Sequence, residues 1–243
     1  MNREELRLAV QSRFNENSSA VNTVYEKFTA ALDERVKDYI SAKGLDLSAQ
    51  GEATIFRDGQ KHYYRMRDMA RYGADDLNDI LKTELDLILG GLRANNVAGA
   101  SILMHIFGIN AGRHVHSYPS RLSTLIDNLY FLIASFYEIS VDGTFNIKKI
   151  INQRLTSYNR DLRDHLTSHV VKKSFYRLRN AQVHDAPDFM EWISSGEEEL
   201  PCLSLEFFDG NSHMTAERAF DYLFPFYERT LETSTKAVEL LLV

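Results

Sequence analysis

Hydrophobic residues recur along most of this chain at the three- to four-residue spacing that places them on one face of an α-helix. In the first clear case Val21, Phe28, Leu32 and Val36 share one stripe, and Gly44 follows at the position where helices commonly end. The same spacing predicts helices over 75–91, 120–140, 145–184 (as two helices) and 215–241. The pattern therefore predicts an all-α fold, a bundle of five or more helices.

A few segments depart from this helical pattern. Residues 49–60 are predicted to be irregular, the stretch from His114 to Pro119 a loop, and 203–208 a short strand or part of a hairpin. Pro225 predicts a kink in the last helix. We expect residues 1–72 to form an N-terminal helical extension packed on a bundle formed by 73–243, because no linker or repeat separates them.

Composition places the chain among globular proteins, with 44% hydrophobic and 26% charged residues. Its longest apolar stretches are about ten residues, half of the roughly 20 that a bilayer span needs, and the N-terminus lacks the apolar core of a secretory signal. The single cysteine, Cys202, excludes an internal disulfide framework and a Cys-based metal site. We expect a soluble cytoplasmic protein without contact to a membrane.

Histidines supply the only candidates for a metal site. His114 and His116 lie in the predicted loop, and Asp161, His165 and His169 follow one another at four-residue spacing along a helix. Packing or solvated histidines explain both groups more simply. A metal-dependent enzyme would require the histidines at 114, 116, 165 and 169 to converge, so the sequence predicts no metal and no cofactor.

Three polar residues near the end of the predicted helix that precedes residue 185 are the strongest candidates for a catalytic site. Asn180 and His184 are four residues apart and share one helix face, so the amide can orient the imidazole. Arg179 lies about 140° from His184 around the helix. One helix cannot direct both at one atom, whereas two facing copies can line a single cleft.

Arg179, Asn180 and His184, as Arg-Asn-x-x-x-His, resemble the signature of the HEPN superfamily of helical-bundle proteins, which are common in RNA-directed defence and toxin systems. The layout of residues 120–184 is similar more loosely. The resemblance implies a homodimer that cleaves RNA without metal, through attack of the 2′-OH on the adjacent phosphate, leaving a 2′,3′-cyclic phosphate. It implies that His184 exchanges the proton, Arg179 stabilises the transition state and Asn180 orients His184 or binds phosphate.

Charge is unevenly distributed. The whole chain carries a net charge of −6, yet residues 148–184 hold nine Lys and Arg against two Asp, a net +7. Such a stripe attracts a phosphate backbone, and its candidate RNA-binding residues are Arg163, His169, Lys172, Lys173 and Arg177. The alternatives are a catalytically inactive HEPN-like module that binds RNA or protein, and an unrelated helical structural protein. An antitoxin or other regulatory protein is a further expected partner.

Overall fold

Six α-helices make up most of the structure, a computed structural model that describes residues 3–44, 52–93, 97–140, 147–168, 188–193, 202–208 and 214–242. We number them α1 (Arg3–Lys43), α2 (Glu52–Arg93), α3 (Val97–Phe136), α4 (Ile147–Tyr158), α5 (Arg160–Thr167) and α6 (Ala219–Glu239), the last followed by a 3-10 turn at Leu240–Leu242. The predicted all-α class with five or more helices is confirmed.

One antiparallel sheet of three strands accompanies the helices: β1 (Asp188–Ile193), β2 (Cys202–Phe208) and β3 (Met214–Arg218), with β2 in the middle. The strand predicted at 203–208 is therefore confirmed as β2. The prediction that the last helix begins at residue 215 is wrong, because Thr215 pairs with Phe207 and Glu217 with Leu205 in the sheet. Pairing with β2 outweighs the helical spacing that continues into this segment.

The first two helices are longer than predicted. α1 begins at Arg3, and α2 begins at Glu52, so the prediction of an irregular stretch over 49–60 is wrong from residue 52 onward. Gly59 lies within this part of α2. It is buried, and a Cβ added there would lie 3.4 Å from the Cβ of Ser135 on α3, so glycine permits close packing of the two helices.

The predicted loop between His114 and Pro119 is also wrong, because α3 continues through Pro119. Val115, Tyr118 and Leu122 are buried at helical spacing on either side of the proline. Burying such side chains is worth about 1.5–3 kcal/mol each, which offsets the roughly 3 kcal/mol that proline costs inside a helix. The predicted end of α1 is confirmed: Gly44 has a φ of +59° and donates its N–H to the Ser41 carbonyl.

The chain forms two compact units, each assembled from separate segments. Unit 1 comprises Met1–Thr23, Tyr72–Ser120 and Arg179–Tyr227, and unit 2 comprises Val24–Arg71, Arg121–Leu178 and Glu228–Val243. Helices α1, α2, α3 and α6 each contribute residues to both units. The expected division into an extension over 1–72 and a bundle over 73–243 stays a prediction.

Unit 1 combines an apolar core with buried charge. The core includes Val21, Leu77, Ile88, Val115 and Leu223. Glu84, whose side chain is 6% exposed, pairs with Arg218 at 2.7 Å and with Arg13 at 3.0 Å. The carboxylate thereby ties α1, α2 and the end of β3 together, since removing a charge from water is tolerated only when it is paired.

Unit 2 is built around the second half of α3. Leu125, Leu129 and Ile133 on that helix are buried, as are Phe28 on α1 and Met66 on α2. The polar side chains described as buried in this unit are Asn, Thr and Ser, whereas unit 1 buries two carboxylates.

Two polar contacts link distant parts of unit 2. The His62 ring stacks on Phe131 with centroids 4.7 Å apart, and its Nδ1 lies 2.8 Å from Oδ1 of Asn128. The hydroxyl of Tyr137 donates to the Leu241 carbonyl at 2.8 Å. These hydrogen bonds satisfy polar atoms that packing removes from water.

Candidate functional site

Most of the predicted site residues lie outside the described residues. They are the three catalytic candidates, Arg179, Asn180 and His184, and four of the RNA-binding candidates, His169, Lys172, Lys173 and Arg177. Arg163 is the one predicted site residue within the described range. The described helices that precede the motif most closely in the chain are α4 and α5.

Arg163 lies in α5 with its charge partly compensated. Its Nη1 is 3.2 Å from Oδ1 of Asp164, and both side chains are more than a third exposed. An ion pair this exposed contributes little to stability, typically about 0–1 kcal/mol. The guanidinium can therefore exchange Asp164 for another anion at little cost.

Asn159 fixes the corner between α4 and α5. Its backbone is extended, with φ −154° and ψ 94°, and its side-chain oxygen accepts a hydrogen bond from the Leu162 N–H at 2.9 Å. This is the usual N-cap arrangement. Its amide nitrogen donates to the Tyr137 hydroxyl at 2.9 Å and to the Leu240 carbonyl. One buried side chain thus sets the direction of α5 against the rest of unit 2.

Three exposed cations lie on α4 and at the start of α5, beside two exposed carboxylates, Asp161 and Asp164. Ile147, Ile151 and Leu155 are buried on the inner side of α4. Lys149, Arg154 and Arg160 are exposed, and none of them forms an ion pair within the part of the chain that the structure describes. Lys148 differs, because its Nζ lies 2.8 Å from Oδ1 of Asp127. The three exposed cations, which we call the α4–α5 basic face, can accept phosphate without first breaking a described ion pair.

His114 joins two helices in unit 1. Its Nδ1 lies 2.7 Å from Oδ1 of the buried Asp76, and its Nε2 lies 3.5 Å from Oδ2 of Asp79. Ser117 donates to the other oxygen of Asp76 at 3.3 Å. Both ring nitrogens face carboxylates, so the arrangement links α2 to α3 rather than directing a free nitrogen at a substrate. Residue spacing could not reveal this link, because the acidic partners lie on another helix.

The histidines at the other candidate metal site also have structural partners where they are described. Nε2 of His165 lies 3.0 Å from the carbonyl oxygen of Thr233. His169 is outside the described residues. Within the described part of the chain, no three His, Cys, Asp or Glu side chains gather in a way that could hold a metal ion.

Tyr118 is the most strongly perturbed titratable group described in unit 1. Complete burial raises its pKa well above the ordinary value of 10.0, and the negative charges of Tyr227 (when ionised) and Asp76 raise it further. Its hydroxyl donates to the Leu223 carbonyl at 2.9 Å. The phenol therefore stays protonated and serves as a hydrogen-bond donor between α3 and α6.

Comparison with protein-family models, with curated proteins and with solved structures gave no match. Among the helices that the structure describes, none combines the length and the apolar composition needed to cross a bilayer.

Proposed function

We propose that this protein is a metal-independent endoribonuclease of the HEPN type. The observation that carries the proposal is the motif Arg179-Asn180-x-x-x-His184, which combines a cationic fork, an orienting amide and a group that exchanges protons near neutral pH. An all-helical bundle, the fold class that the motif implies, supports it.

The charge distribution supports an RNA substrate. Unit 2 contains 20 Lys and Arg against 16 Asp and Glu, whereas unit 1 contains 8 against 18. The α4–α5 basic face belongs to unit 2, and the chain runs from it through Lys172, Lys173 and Arg177 to the motif. The motif residues themselves belong to unit 1, so the support from charge rests on the cations that precede them in sequence and would attract the phosphate backbone of RNA.

The nucleophile of the proposed reaction belongs to the substrate. The 2′-OH of the RNA attacks the adjacent phosphorus and the bond to the 5′-oxygen breaks, which leaves a 2′,3′-cyclic phosphate and a 5′-OH. His184 moves the proton, Arg179 stabilises the charge that develops on the phosphate oxygens, and Asn180 orients His184 or binds phosphate. The active cleft forms between two copies of the chain in the cytoplasm, and an antitoxin or another regulatory protein controls it.

The test is cleavage of a labelled single-stranded RNA by the purified full chain in EDTA. We expect products with 2′,3′-cyclic phosphate ends, and no cleavage of the same sequence made of 2′-O-methyl RNA, which lacks the nucleophile. Arg179→Ala and His184→Ala should each lower the rate at least 100-fold, within the range that loss of a proton-transfer group or a charge-stabilising donor typically causes.

Arg229→Ala is the matched control, because it removes an exposed cation on α6, far from the motif in sequence. It should cleave at the wild-type rate. Equal rates for wild type, Arg179→Ala and His184→Ala would overturn the proposal. RNA binding that is sensitive to salt and survives His184→Ala, without any product, would identify the protein as a non-catalytic binding module instead.

A further inference from the structure

Tyr158, at the end of α4, exposes an unusually large part of its ring. Its exposed fraction is 57%, the highest of the three large hydrophobic or aromatic side chains that are exposed among the described residues. The ring stacks on Tyr137 with centroids 5.7 Å apart and an angle of 30° between the planes. Tyr137 is itself held at its hydroxyl by Asn159 and the Leu241 carbonyl. Tyr158 is therefore an exposed ring on a fixed support.

Tyr64 on α2 repeats this arrangement in the same unit. It is 52% exposed and contacts Tyr63 edge-on, with centroids 5.0 Å apart. The Tyr63 hydroxyl donates to Asp33 and accepts a hydrogen bond from Arg67 at 2.8 Å. Each exposed tyrosine thus packs against a second tyrosine whose hydroxyl is anchored. We call Tyr64 and Tyr158 with these supports the two tyrosine platforms.

Exposed cations flank both platforms. Lys61 precedes Tyr64 by three residues and Arg65 follows it directly, while Arg154 precedes Tyr158 by four residues, one helical turn away. Arg160 lies just beyond Tyr158. Exposed carboxylates are also present, Asp68 near the first platform and Asp161 near the second. Cations remain in excess at each, as in unit 2 as a whole.

An aromatic face beside cations matches the chemistry of single-stranded nucleic acid. An unpaired base has a free face that stacks on a tyrosine ring, while the adjoining phosphate lies within reach of lysine or arginine. A duplex hides its base faces and would gain only the phosphate contacts. The third exposed apolar residue, Leu8 in unit 1, offers no ring.

We propose that the two tyrosine platforms of unit 2 stack bases of single-stranded RNA and so hold the substrate. The choice of RNA as ligand rests on the proposed function. The platforms themselves rest on the exposure and support of Tyr64 and Tyr158. Their role is to bind and position the substrate, separate from the chemistry assigned to the motif.

The experiment measures binding without cleavage. The full wild-type chain is titrated into fluorescein-labelled 2′-O-methyl oligouridine of 20 nucleotides, and the dissociation constant is read from fluorescence anisotropy. Tyr158→Leu and Tyr64→Leu should each raise Kd about tenfold, the effect of losing one stacked base. Tyr158→Phe and Tyr64→Phe keep the ring and should stay within about twofold of wild type by the same reasoning.

Leu8→Ala is the matched control for an exposed apolar residue and should leave Kd unchanged. For the cations, Arg154→Ala should lower the dependence of log Kd on log salt by about 0.7, the value for one contact to a single strand. Arg229→Ala, which removes an exposed cation of unit 2 on α6, should leave that dependence unchanged. Thermal unfolding of each variant checks that its fold is retained.

The two proposals fail in different ways. Kd values that are equal for wild type and both Tyr→Leu variants would overturn the platforms, even if the protein cleaves RNA. Tyrosine-dependent binding by a protein that never cleaves RNA would overturn the ribonuclease and leave the platforms standing. Equal affinity for duplex and single strands, or no binding of oligonucleotide, would also overturn the platforms.

Discussion

Unit 1 buries two carboxylates, Asp76 and Glu84, whereas each polar side chain described as buried in unit 2 is uncharged. In unit 1 both carboxylates contact side chains from other elements: Arg13 and Arg218 pair with Glu84, and Nδ1 of His114 lies 2.7 Å from Asp76. In unit 2 the buried polar residues are Asn128, Asn159, Thr230, Thr233 and Ser234.

The comparison shows where the cations of this protein are placed. Unit 1, with a net charge of −10, uses Arg13 and Arg218 to neutralise a buried acid. Unit 2, with a net +4, satisfies its interior with amides and hydroxyls, and keeps Lys149, Arg154 and Arg160 at the surface. The whole-chain value of −6 averages over these two arrangements and describes neither.

The largest expected effect is on the buried ion pairs of unit 1. Glu84→Leu removes the buried carboxylate that both Arg13 and Arg218 contact, while Arg218 keeps its pair with the exposed Asp221. We expect the free energy of unfolding to fall by about 3 kcal/mol. Urea unfolding followed by circular dichroism measures the loss. Glu239→Leu removes the same group from an exposed pair with Lys236 and should cost less than about 1 kcal/mol. Equal losses would contradict the comparison.

In unit 2 the matching test falls on a neutral residue. Asn159→Ala removes the cap of α5 and both amide hydrogen bonds, so we expect a loss of about 2 kcal/mol in the same measurement. Asn159→Ser retains a capping oxygen but not the amide donor, and should fall between wild type and Asn159→Ala. A loss in Asn159→Ser as large as in Asn159→Ala would contradict a stabilising contribution from the cap.

The smallest expected effect at neutral pH concerns Tyr118, yet it has a distinctive pH dependence. Tyr118→Phe removes the hydrogen bond to the Leu223 carbonyl and should cost about 1 kcal/mol at pH 7. Because the folded-state pKa of Tyr118 lies above the unfolded-state value of about 10, the unfolded chain loses this proton first. The contribution of Tyr118 to stability is therefore fully present below pH 10 and is lost at up to about 1.4 kcal/mol per pH unit above it.

Tyr118→Phe should make this alkaline loss less steep, as measured by urea unfolding between pH 9 and 11. Tyr130→Phe in unit 2 provides the comparison. Burial also raises the pKa of Tyr130, but a hydrogen bond with Asn152 lowers it. Its substitution should change the slope less than that of Tyr118. A larger change for Tyr130 would contradict this ranking of the two buried phenols.

Local spacing was enough to predict the fold class, the end of α1 at Gly44 and the strand at 203–208. It failed where contacts from elsewhere in the chain decide the structure. Gly59 and Pro119 are poor helix residues by propensity, yet packing against Ser135 and burial of Tyr118 and Leu122 keep them helical. Thr215 becomes a strand residue only because β2 lies beside it.

Some features of the candidate site can likewise be predicted from the sequence, and others depend on contacts between distant residues. The Arg-Asn-x-x-x-His motif and the basic stripe can be recognised from residue order alone, and their roles stay predictions. The support of Tyr158 by Tyr137 and Asn159 could not be predicted, because those residues come from different elements. The link between His114 and Asp76, 38 residues apart, was hidden for the same reason.

The hydrogen bond from Asn159 to the Leu240 carbonyl spans 81 residues of sequence, and this bears on when the protein can fold during its synthesis. Both units draw on α1 and on α6, so neither can be completed before the residues of α6 have left the ribosome. Until residue 240 emerges, the corner between α4 and α5 lacks one of its anchors. The final arrangement of this corner is therefore reached only after residue 240 has been synthesised, however early α4 and α5 themselves form.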